Sequence, residues 1–137
     1  MTGDILVQLH AAKNEEEREW LVLQFCLDGL NSEVRDAVWT AAVPHWFDVD
    51  FLTVLMDSSD ADIPGIFQNL ISLPFVEPFP GLGYNIHKRT RALLLKRLWQ
   101  HNLPRYYEQS QRAASYCARQ DVADTGWRVE TIYHLLG

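Results

Sequence analysis

Residues 78–83 read Pro-Phe-Pro-Gly-Leu-Gly, a run that no helix tolerates and that turn chemistry explains. Short extended segments flank it, Phe75-Val76-Glu77 before and Tyr84-Asn85-Ile86 after, so the run predicts a β-hairpin, or wing. The segments on either side of this hairpin carry helical periodicity, and the chain is therefore expected to be mainly α with a small β-hairpin.

Before the hairpin, Asn14 followed by Glu15, Glu16 and Glu17 reads as an N-cap with acids matched to the helix dipole. Trp20, Leu21, Leu23, Phe25 and Leu27 then form the expected buried stripe, and Gly29 ends the helix. A second helix is expected from a Ser32 cap through Val34, Ala37, Val38 and Ala41 to a stop at Pro44. Asp48 or Asp50 opens a short third helix, residues 57–62 form a polar loop, and Pro64 stands at a first helical position for a fourth helix, Ile66 to Leu73. After the hairpin, Lys88 to His101 reads as a long helix, broken by Leu103-Pro104. Helices from about Pro104 to Arg119 and from Trp127 to Leu136 follow. This order predicts a winged helix-turn-helix over residues 14–101 and a helical appendage over 103–137.

With 137 residues, 47% hydrophobic and 16 aromatics, the chain can bury a core without staples, which excludes disordered and low-complexity classes. Cys26 and Cys117 have no ligand spacing and read as reduced, buried thiols. No cationic and apolar leader opens the chain and no apolar run reaches membrane length, so a cytoplasmic protein is expected. Charge is strongly divided. Residues 1–75 hold 13 acids and 3 bases, a net of −10, whereas residues 76–137 hold 5 acids and 9 bases, a net of +4. Between Pro78 and Tyr107 there is no acid, while Lys88, Arg89, Arg91, Lys96, Arg97 and Arg105 lie inside. Such a block either pairs with the acidic half or docks a polyanion.

The stretch from Ile66 through Glu77, the turn, and then Tyr84-Asn85-Ile86-His87 resembles the winged-helix segment of STAND-type signalling NTPases, the NB-ARC-like proteins and their regulator relatives. His87 sits where the family's Met-His-Asp-type motif would lie, with Ile86 in place of Met and Lys88 in place of Asp. Residues 112–116 and 130–136 resemble the first helices of the helical repeat array that often follows. The resemblance runs from about Glu16 onward. It implies a non-catalytic regulatory module in which His87 contacts nucleotide phosphates, with Lys88, Arg89 and Arg91 facing phosphates or an acidic core. The chain has no GxxxxGK[ST] loop and no apolar strand ending in a magnesium-binding Asp, so it carries no cofactor of its own. ADP or ATP would enter only through an absent NTPase domain of the same or another chain. The implied partners are that domain and a helical repeat sensor. An uncapped last helix inside a repeat pattern also favours a fragment of something longer.

Other sites fare worse. His10, His45, His101 and His134 look scattered, without a carboxylate at ligand spacing, and no metal site is expected. Nor do these residues assemble a nucleophile, base and oxyanion donor, so the chain is not expected to be an enzyme. A DNA-binding winged helix is the first alternative, but the helix before the wing has no Lys or Arg and follows Asp57, Asp60 and Asp62. The second is a protein–protein adaptor presenting Tyr106, Tyr107, Trp127 and Tyr133.

Overall fold

A computed structural model of the chain describes residues 2–56, 61–120 and 125–136. Eight helices and one hairpin are seen among them: α1 (Thr2–Ala11), α2 (Glu15–Asp28), α3 (Ser32–Ala41), α4 (Val49–Met56), α5 (Ile63–Ile71), β1 (Val76–Phe79), β2 (Gly83–Ile86), α6 (Lys88–His101), α7 (Leu103–Ala118) and α8 (Thr125–Leu136). The mainly helical class with one hairpin is as the sequence implies.

Local chemistry sets most helix starts. The Asn14 carboxamide accepts from the Glu17 N–H, Asp62 caps α5 with Pro64 just inside it, and Asn102 caps α7 ahead of Pro104. Asp48, rather than Asp50, opens α4 by accepting from the Phe51 N–H at 2.8 Å. Two expectations are corrected. Asn31, not Ser32, caps α3, because its Oδ1 lies 2.9 Å from the Val34 N–H while Ser32 is already helical. The hairpin is also longer than its turn residues imply: Pro78, Phe79 and Gly83 belong to the strands, in the register Val76 with Ile86 to Phe79 with Gly83. Pro78 is tolerated because β1 pairs with β2 alone and its other edge needs no N–H donor.

A further bridge extends this pairing. Phe47, between α3 and α4, exchanges both backbone bonds with Tyr84, at 2.8 and 2.9 Å. Gly83 makes the approach possible. Its φ is +124°, and a Cβ there would press into the Phe47 carbonyl. The core lies under the hairpin, where Leu27, Ala37, Val38, Phe47, Leu52, Leu70, Ile86 and Leu94 are buried. Phe25 departs from its expected place in the buried stripe of α2. It is 49% exposed, as is its neighbour Val22 at 50%, because Leu23 and Leu27 already fill the inward face.

The helical hairpin α7–α8 is seated directly on this body. Phe51 of α4 stacks on Tyr116 of α7 at 4.9 Å, above a buried cluster of Leu55, Ala113 and Cys117. Tyr106 packs with Val43 and Leu98. Polar bonds join the same surfaces, with Gln109 Nε2 and Arg105 both donating to the buried Thr40 hydroxyl at 2.9 and 3.1 Å. No helix among the described residues is long and apolar enough to cross a membrane.

Candidate functional site

His87 follows the last residue of β2 and caps α6. Its backbone N–H donates to Phe75 at 2.7 Å, and its ring Nδ1 accepts from the Arg89 N–H at 3.4 Å. That bond fixes the ring by its Nδ1 edge at an exposed helix N-terminus, where unclaimed N–H groups and the dipole favour an anion. Lys88 is exposed beside it. An open groove of about 510 Å³ runs along α2 to this point, lined by Val22, Leu23, Cys26, Phe75, His87 and Leu93. Cys26 is exposed, contrary to the expectation of a buried thiol, because it lies on the outward side of α2.

The other two cations of the motif are engaged inside the protein. Arg89 is clamped by Glu19, with Nε donating at 2.6 Å, and that carboxylate raises its pKa through the bond and its charge. Arg91 turns inward. Its guanidinium donates to the carbonyls of Pro44 and Val43 at 3.1 and 2.9 Å and to the Tyr133 hydroxyl of α8 at 2.7 Å. His87 and Lys88 therefore fit an anion as they stand, whereas Arg89 and Arg91 would have to leave partners. The rest of the basic block is similarly occupied. Lys96 pairs with Glu16, Arg105 with Asp36, and the Arg97 guanidinium lies 4.5 Å from the centre of the Trp20 ring. Three of these carboxylates, Glu16, Glu19 and Asp36, come from the acidic half.

A second constellation was not anticipated. Glu130 is fully buried, and its Oε2 lies 2.7 Å from Nδ1 of His45 while its Oε1 lies 2.8 Å from the His45 backbone N and 2.7 Å from Nε2 of His134. A carboxylate only accepts, so both imidazoles donate toward it, and His134 Nδ1 is left buried without a partner. Burial pushes the Glu130 carboxyl up, but the bonds from His134 and His45 outweigh it and hold the pKa down at about 2. The His45 ring also packs at a tilt against Tyr133, centroids 4.1 Å apart. Glu130 and His134 stand four residues apart on one helix face, a spacing visible in the sequence and passed over there. His45 lies 85 residues from Glu130, a separation no local pattern reveals. The three side chains form a hydrogen-bonded cluster, and no group that could hold a metal ion is found among the described residues. Cys117 behaves consistently with burial beside this charge, its thiol pushed up to about 12 by desolvation first and by Glu130 second.

Of the residues expected to meet a partner, Tyr106 is buried, Tyr107 is 46% exposed, and the Trp127 side chain lies outside the described residues. No family model matches the chain, and no curated protein or solved structure matches it either.

Proposed function

We propose that the chain is a non-catalytic regulatory winged-helix module of a STAND-type signal-transducing ATPase, coupling the nucleotide state of an ATPase core to a helical sensor. The observation that carries this reading is the strand arrangement around Gly83. After α3, Phe47 bridges to β2, α4 and α5 follow, and β2 then lies between Phe47 and β1. That connectivity supports reading the body as a winged helix-turn-helix, in which α5 would take the place of the recognition helix. The α7–α8 hairpin, tightly packed against itself and the body, supports the start of a repeat array.

In this reading His87, with Lys88 beside it, approaches the phosphates of a nucleotide held by a separate ATPase core. The chain's own residues supply an exposed imidazole and the positive end of α6. The DNA-binding alternative is disfavoured by the same geometry. Helix α5 carries no Lys or Arg, and Arg89, Lys96 and Arg105 already hold carboxylates. An adaptor role has one observation in its favour, the exposed stripe Val129, Ile132 and Leu135 on α8.

The test is ADP release from an ATPase that contains this segment. Replacing His87 by Ala speeds release of a fluorescent ADP analogue, by about tenfold if one charge-assisted contact of roughly 1.4 kcal/mol is lost. Release at the unaltered rate removes the role.

A further inference from the structure

We infer that α8 is held on the body by a releasable polar latch, built from Glu130, His45, Tyr133 and Arg91, which ties the seating of α8 to the position of the start of α6. Its purpose rests on the regulatory reading above, and its existence rests on geometry alone.

The two helices of the C-terminal hairpin are seated in different ways. Helix α7 is held by apolar packing against Phe51, Leu55, Val43 and Leu98. Helix α8 packs mainly on α7, and among the described side chains it reaches α6 and the 43–45 strip through hydrogen bonds and one tilted ring contact. Glu130 takes both the backbone N–H and the ring of His45, and the Tyr133 hydroxyl accepts from Arg91. On its outer side Val129, Ile132 and Leu135 are exposed.

The strip 43–45 is gripped from two sides. Arg91 of α6 holds its carbonyls at Val43 and Pro44, and Glu130 of α8 holds its next N–H and imidazole. Tyr133 closes the loop by joining the two helices directly. Arg91 is one turn into α6, its own N–H bonded to the His87 carbonyl at 2.9 Å, so displacement of His87 is delivered to the guanidinium. A buried carboxylate is costly to leave short of donors: once His45 withdraws, only His134 of α8 remains on Glu130, and the oxygen that faced the His45 ring needs water in its place. The seat therefore opens as a unit, a two-position element that a shift of α6 can bias.

Hydrogen–deuterium exchange of the full chain at neutral pH tests this. Glu130→Gln keeps the shape but turns an N–H2 group toward a donor, and it raises exchange in α8 and residues 43–47 by about tenfold or more while the hairpin and α3–α5 stay within about twofold. Tyr133→Phe gives the same pattern at lower amplitude. The decisive variant is Arg91→Lys, on the other helix: it keeps the charge, loses the fork that holds two carbonyls and a phenol together, and also accelerates exchange in α8. Unchanged α8 exchange in Arg91→Lys, or acceleration spread evenly over every element, overturns the latch. No nucleotide or ATPase core enters this experiment, so it stands or falls apart from the His87 test.

Discussion

Glu130 is buried and ionised, and both properties reach the stability of the molecule through acid. Its folded pKa is about 2 against an ordinary value of 4.5, so the folded state favours the deprotonated form. That contribution is complete above pH 4.5 and is lost as pH falls toward 2. By linkage it amounts to roughly 3 kcal/mol. Denaturant titrations at pH 6 and pH 3 should therefore show a larger loss of stability for the natural chain than for Glu130→Gln, which has no proton to gain at that position. Gly83 acts through the backbone instead. Gly81 also has a positive φ, +82°, but a Cβ there meets nothing within 4 Å, whereas at Gly83 it meets the Phe47 carbonyl. Gly81→Ala should cost about 1 kcal/mol from backbone strain, and Gly83→Ala clearly more, read as shifts in the urea midpoint. The two thiols separate as sharply. Exposed Cys26 should take up a maleimide in the native protein, and Cys117, buried with its thiol at about 12, only after denaturation.

At the scale of elements, the caps and breakers account for what was legible in advance. Asn14, Pro64, His87 and Pro104 each mark a helix start through chemistry that acts within a few residues, and the Pro-Gly-rich run marked the hairpin for the same reason. Asn14→Ala should accordingly lower stability by about 1 kcal/mol in thermal melts, since it removes the acceptor of the Glu17 N–H. Helix α1 escaped because its apolar residues Ile5, Leu6 and Val7 are consecutive rather than periodic, and Leu6 and Val7 are indeed exposed. The Phe47 bridge escaped because a single paired residue has no alternation to detect. The candidate site divides in the same manner. His87 was singled out by the family resemblance, while the inward turn of Arg91 and the meeting of His45 with Glu130 depend on how α7–α8 folds back. Only the four-residue spacing of Glu130 and His134 offered a local signal.

At the scale of the whole molecule, the division of charge becomes a structural principle. The acidic first half and the basic second half meet through Glu19 with Arg89, Glu16 with Lys96 and Asp36 with Arg105, all at or near the surface. Such exposed pairs contribute little individually and are screened by salt, so raising salt to about 1 M should lower the melting temperature only slightly. Their larger consequence is what they withhold. Guanidinium and ammonium groups held by carboxylates are not presented to phosphates, and the net charge of −6 adds a general repulsion. The basic block is thus the inner partner of the acidic half, with His87 and Lys88 left at the exposed end of α6. Fluorescence anisotropy of a labelled DNA duplex titrated with the chain at about 50 mM and about 200 mM salt tests that claim most directly. No binding is expected at either concentration; binding at the lower salt that falls by orders of magnitude at the higher would mean that the block faces outward to polyanions and is not the inner partner of the acidic half.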